Sequence, residues 1–315
     1  MEGQIITVLG PVAPSALGTT DGHNHMWITP QAVPAADAPV LDRPEEILAE
    51  LHEYRQAGGG SQVDCQPVYA GRDGSRLRWL AEESGVWIVA NTGFHLQQYY
   101  PGEAPIWSMD VEQACELFLG EIMQGLIETR EAGSPVNPGF IKIAVRESLA
   151  ASPRHLIEAA VQASLESGYL IEMHTERGQD IEAFVDFITG LGLSPDRLVI
   201  CHIDKRPDLG LHQSLAAEGF LLEYDTFFRP KYKPEEHVWP LVEAMVKAGY
   251  ERSLVLATDL ADGSLWRRIG GGPGIVGFIT EIKMRLKAMA LEDKNIHLLT
   301  GGNIARGLTV QAKEI

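Results

Sequence analysis

Hydrophobic positions along this 315-residue chain fall into short apolar runs, separated by stretches in which apolar residues recur every three or four positions. Strand-like runs fall at 19–25, 61–65, 86–92, 139–144, 168–174, 196–202, 219–225 and 253–259, most of them apolar and the first two largely polar. The stretches between them read as amphipathic helices, as at Ile47, Leu48, Leu51 and Tyr54, or Leu156, Ala160, Val161 and Leu165. Ser152-Pro153 predicts an N-cap with proline at the first helical position, and Gly58, Gly133, Gly168, Gly190, Gly219 and Gly249 predict helix stops. Strand then helix, repeated eight times, predicts an α/β fold: one (β/α)8 barrel domain over 1–315, with residues 3–18 as a short N-terminal strand or hairpin. A doubly wound open sheet is the competitor, and no Gly-x-Gly-x-x-Gly follows the first strand to support it. The long connections 93–109 and 260–274 belong on the barrel face where substrates bind.

Composition narrows the function classes. A 45% hydrophobic content supports a large core, and the formal charge of -17 argues against nucleic acid or an anionic membrane surface as partner. No apolar run reaches the length of a membrane span and the N-terminus lacks a targeting pattern, so the expectation is a cytoplasmic protein acting on a small molecule. Cys65, Cys115 and Cys201 are too scattered for a disulfide framework, and they read as small buried residues.

The strand ends carry the chemistry. His23 and His25 flank Asn24, and alternation along a strand turns both imidazoles to one face, where they can grip one cation. Two later strands end in His174 and His202, the last ends in Asp259, and Lys142 interrupts the run Phe140-Ile141-Lys142-Ile143-Ala144. Singly, each has an ordinary explanation: a loop histidine, a lysine reaching out to solvent, a capping aspartate. Together they meet on one barrel face, where four histidines, one aspartate and one lysine can surround two divalent metals. An ammonium inside an apolar strand is costly unless it is paired or chemically changed. A neutral amine between two cations can add CO2, and the carboxylated lysine then offers one oxygen to each. Such nitrogen and oxygen donors suit zinc.

With Thr7-Val8-Leu9-Gly10-Pro11, Val63-Asp64-Cys65, Gly71-Arg72-Asp73, Asn91-Thr92-Gly93-Phe94 and Gly270-Gly271-Gly272-Pro273-Gly274, the constellation resembles the phosphotriesterase family of the amidohydrolase superfamily, in particular its lactonases. The resemblance implies that His23, His25 and Asp259 hold a buried metal, that His174 and His202 hold an exposed one, and that carboxylated Lys142 bridges them. It also implies that a bridging hydroxide attacks, that Asp259 carries the proton, and that the protein is a homodimer. Two departures stand out. Asn24 replaces the glutamate many relatives carry and, facing away from the metals, bears little on the chemistry. Asn303-Ile304-Ala305-Arg306 replaces an Asn-Pro-x-Arg run and bears on helix packing.

Loop residues set the substrate. Trp27, Tyr99, Tyr100, Phe228, Arg229 and Lys231 are the expected substrate contacts, and Arg229, Lys231 and Lys233, with Arg267 and Arg268, could supply a cationic handle for a carboxylate or phosphate. His95 is either a pocket donor or a loop brace, and His52, His155, His212, His237 and His297 read as surface residues. The stretch 229–234 resembles lactonases of phosphorylated sugars, whereas Leu260-Ala261-Asp262-Gly263 lacks their basic residues. The expected activity is a lactonase opening a cyclic carboxylic ester. The alternatives are hydrolysis of organophosphate triesters and a metal-bearing binding protein without turnover.

Overall fold

The computed structural model describes residues 3–30 and 39–311. Strands β1 (Ile5–Thr7) and β2 (Gly10–Val12) form an antiparallel hairpin, closed by the Thr7 hydroxyl on the Gly10 carbonyl at 2.8 Å. The barrel strands follow: β3 (Thr20–Asn24), β4 (Ser61–Asp64), β5 (Trp87–Val89) continued after Ala90 as β6 (Asn91–Gly93), then β7 (Phe140–Ala144), β8 (Ile171–His174), β9 (Leu198–Cys201), β10 (Leu221–Tyr224) and β11 (Leu254–Leu256). All barrel pairings are parallel and follow chain order. The ring closes where the Asp259 amide donates to the His23 carbonyl at 2.9 Å and where a side chain on Gly22 would strike Val255. This is the (β/α)8 barrel. Amphipathic helices wrap it, among them α1 (Pro44–Gln56), α2 (Gly74–Ser84), α3 (Val111–Gln124) and α4 (Arg154–Ser167). No described helix is long and apolar enough to cross a membrane.

Alternation along the strands divides the core in two. Ile141, Ile143, Ile171, Met173, Ile200, Leu222 and Leu256 face the helices. Val63, Val89, Phe140, Leu170, Val199, Leu221 and Val255 fill the barrel floor with Cys65 and Cys201, and Cys115 is buried as well. Side chains two residues further along the inward face stand above that floor, which sends Lys142, Glu172 and Glu223 into the interior and His174, Asp225 and Asp259 to the mouth.

Two punctuation marks differ from expectation. Pro153, not Ser152, occupies the α4 N-cap, and the Ser152 hydroxyl instead accepts from the Arg146 amide at 2.9 Å. Gly190 is the last residue of its helix, Ile181–Gly190, and the left-handed turn falls on Gly192 (φ +101°).

Candidate active site

His23, His25, His174, His202 and Asp259 meet at the barrel mouth, with Lys142 beneath them in the interior. The Nε2 atoms of His23 and His25 lie 3.9 and 3.5 Å from Asp259 Oδ1, and Lys142 Nζ lies 3.4 Å from His23 Nε2. On the other side His202 Nε2 lies 2.9 Å from His174 Nδ1. His202 and Asp259 both adopt left-handed backbone (φ 61° and 46°), an unfavourable conformation held where strands turn into the site.

A ring of acceptors fixes the imidazoles. His23 Nδ1 meets Glu223 Oε1 at 2.9 Å, His25 Nδ1 meets Gln66 Oε1 at 2.8 Å, and His202 Nδ1 bonds Asp225. Gln66 and Asp225 accept from Nδ1 of His25 and His202, so those two Nε2 atoms turn a lone pair inward, whereas His23 Nδ1 lies close to Glu223 without the geometry of a hydrogen bond. Burial pushes His23 and His202 well below the ordinary imidazole range, with Lys142 and Lys205 respectively adding to the effect, and burial also lowers His174. These are neutral ligands in waiting. Burial opposes the Asp259 charge, yet Arg229 at 2.7 Å, the bond with His25 and the neighbouring imidazoles hold its carboxyl well below the usual range. Two imidazole nitrogens and one carboxylate oxygen within 4.8 Å of one another form a donor set that fits a divalent cation.

Lys142 is completely buried. Burial alone would lower its pKa, but Cys201, Cys65, Glu172 and Glu223 outweigh it and hold the amine above its ordinary range. Glu172 is its direct neighbour across the β7–β8 pair, and burial lifts that carboxyl to about 7 against the pull of Lys142 and the Cys65 thiol. Gly93 makes room for this strand: at φ +118° it lies against the Lys142 backbone, where any side chain would collide.

A cavity of about 230 Å³ opens over these groups. Tyr99, Arg229 and Lys231 line it, joined by Lys205, Tyr232 and Glu176, none of which the strand pattern picks out. The ammonium groups of Lys205 and Lys231 stand 5.6 and 5.0 Å from the Tyr232 ring. Trp27, Tyr100 and Phe228 are not brought to the cavity. Trp27 donates to Thr29 at 3.0 Å, the Tyr100 hydroxyl accepts from the His95 amide at 2.8 Å, and Phe228 packs on Gly277. Nor are Arg267 and Arg268, which pair with Glu53 while buried Glu50 ties down the glycine-rich loop through the Arg268 and Ile275 amides.

His212 departs from the surface position expected of it, while His95 and Asn24 gain defined partners. His95 lines the cavity, where its Nδ1 accepts from the Leu96 amide at 2.7 Å. His212 is buried between the Tyr224 hydroxyl and the Arg206 carbonyl, because its helix turns it toward β10. Asn24 does face away from the histidines, but it latches the barrel: its amide donates to Asp21, Gln62 and Thr258, and its oxygen accepts from the His25 and Leu260 amides.

A closed parallel barrel with neutral imidazoles and a carboxylate converging at its strand ends defines a hydrolase of the metal-dependent barrel class. Within that class the chain belongs to the phosphotriesterase family, whose model matches residues 3–306. It is 28% identical to the N-acetyltaurine hydrolase of Salmo salar over 86% of this chain and 88% of that protein. It is 26% identical to the phospho-furanose lactonase of Mycoplasmopsis synoviae, over 80% and 75% of the two chains. The crystal structure of a lactonase from Listeria monocytogenes superposes with a TM-score of 0.88 at 24% identity, covering 98% of this chain and all of that one, and so shares its fold.

Proposed function

We propose that this protein is a binuclear metal-dependent lactonase whose substrates carry an anionic group. The observation that carries the reading is the arc of Arg229, Lys205 and Lys231 in the same cavity as His23, His25, His174, His202 and Asp259. His23, His25 and Asp259 would hold one cation and His174 and His202 a second, with carboxylated Lys142 between them; zinc suits these donors. Such cations supply an activated water and polarise the ester carbonyl. With that positive charge in place the proton on Lys142 is redundant, which frees the amine for carboxylation. Asp259 Oδ1, facing His23 and His25, takes the proton released during attack and returns it to the leaving oxygen. Arg229 holds Asp259 in place and, with Lys205 and Lys231, draws in the substrate's anion. The protein is read as a cytoplasmic homodimer.

A second reading, cleavage of an N-acyl amide bearing an anionic head, is favoured by the similarity to N-acetyltaurine hydrolase. The same centre serves either acyl carbon. Neutral organophosphate triesters rank lower, since they leave the cationic arc unused. The test compares zinc-reconstituted kcat/KM on phosphorylated and neutral lactones, N-acyl amino sulfonates and an aryl dialkyl phosphate. The phosphorylated lactones are expected to lead; absence of any lactone turnover removes the first reading, and a lead by the amides installs the second.

A further inference from the structure

We infer that the catalytic cavity continues past His95 into a second subsite for the apolar end of the substrate, an inference that rests on the hydrolase reading above. A separate cavity of about 250 Å³ lies between the connections after β6 and β7. Leu96, Trp107, Ala144, Ala151 and Pro153 supply apolar wall, and Arg146 and His155 add basic groups. His95 lines both cavities. Its ring stands 5.0 Å from His174 and 4.7 Å from Tyr99, while its backbone is pinned to Tyr100. The imidazole is therefore a side-chain partition between the catalytic histidines and the second chamber.

The ligand class follows from the walls. Gln97 and Ser152 complete a lining of mixed character, in which the aliphatic and indole part takes a short alkyl or acyl chain favourably and desolvates a strongly hydrated head group at a cost. Trp107 is fixed edge-on by Phe94 at 6.3 Å and Tyr100 at 5.2 Å, and its indole N–H has no acceptor among the described residues. The cationic arc comes from the connections after β9 and β10, across the mouth from the β6 and β7 connections. The matching substrate is bipolar: an anionic head on one side, a short apolar chain on the other, and the scissile acyl group between them over His23, His25 and Asp259.

Equilibrium binding tests this without turnover. The zinc-reconstituted full chain is titrated with hexanoate and, separately, acetate, followed by the indole N–H resonance of Trp107, assigned with Trp107→Phe, and by calorimetry. Hexanoate is expected to move that resonance and acetate to leave it in place. Ala151→Trp, at an exposed wall position, is expected to weaken hexanoate about tenfold, the effect of excluding two methylenes. A stationary Trp107 resonance, or equal hexanoate affinity in wild type and Ala151→Trp, overturns the subsite. A protein that opens no lactone but still shows both hexanoate effects keeps the subsite and loses the lactonase reading instead.

Discussion

His23, His25, Lys142, His174, His202 and Asp259 stand on or just beyond the strands of a closed barrel, whereas Tyr99, Lys205, Arg229 and Lys231 stand on its connections. The strand-borne set is fixed twice, by ladder hydrogen bonds and by buried acceptors such as Gln66 and Asp225. The loop-borne set is held mostly at its tips: Arg229 on Asp259, the two lysines near Tyr232. In the proposed reading, rigid scaffold would carry the reacting groups and less constrained chain the selectivity. Changes to the first set should abolish chemistry on every substrate. Changes to the second should act differently on charged and neutral ones.

The widest gap is expected at the bridge. Lys142→Ala should lower kcat/KM at least about a thousandfold on all substrates alike, by removing the group shared between the two halves of the centre. Equal rates in variant and wild type would erase the distinction between the two regions. Arg229→Ala should cost about a hundredfold on a phosphorylated lactone, the scale of a lost charge-assisted hydrogen bond, and clearly less on the neutral ring. An equal loss on both would make Arg229 a brace for Asp259 alone.

Asn24 tests how far the scaffold depends on its latch. Asn24→Ala strands buried partners on the first and last strands and should cost about 2–4 kcal/mol in urea unfolding; a change under about half a kcal/mol would deny it that role. Its neighbour Asp21 sharpens the point through pH. Burial lifts the Asp21 carboxyl to about 7, against hydrogen bonds from Thr258 and His23 that lower it. A carboxyl raised on folding binds its proton more tightly in the native state, so its contribution is full below the ordinary carboxylate range and is lost as pH rises through about 7. Wild type should therefore lose stability relative to Asp21→Asn between about pH 4 and 7, and parallel stability curves would contradict this. The smallest effect belongs to Trp27→Phe, which removes the bond to Thr29 and shrinks the ring under Arg76, away from the cavity, and should leave kcat/KM within about twofold.

Legibility in the sequence followed the same division. Strands β3 and β4 are buried but largely polar and are marked by other strand-like features. Apolar runs located the later barrel strands to within a few residues, because a strand buried on both faces tends to be continuously apolar. For the same reason Lys142 and the terminal histidines stood out against their surroundings. Period-two alternation also reaches Glu172 and Glu223 in the interior and Asp225 at the mouth, but it says nothing about their partners, the Cys65 thiol for Glu172 and the His202 imidazole for Asp225. Loop side chains have no such rule. Tyr99 and Tyr100 are adjacent, yet one lines the cavity while the other supports the backbone of His95. Lys205 and Tyr232 enter through short turns after β9 and β10 that no periodicity encodes. The latch role of Asn24 is illegible for a related reason, since its partners Gln62, Thr258 and Leu260 become neighbours only when the barrel closes.

The central claim is that the strand-borne donors form one two-cation centre joined through Lys142. Metal content per chain, measured by plasma mass spectrometry after zinc reconstitution and gel filtration, tests it directly in wild type and Lys142→Ala. The account predicts two zinc ions in wild type and fewer than two in the variant. Two in both proteins, or none in wild type, would contradict it.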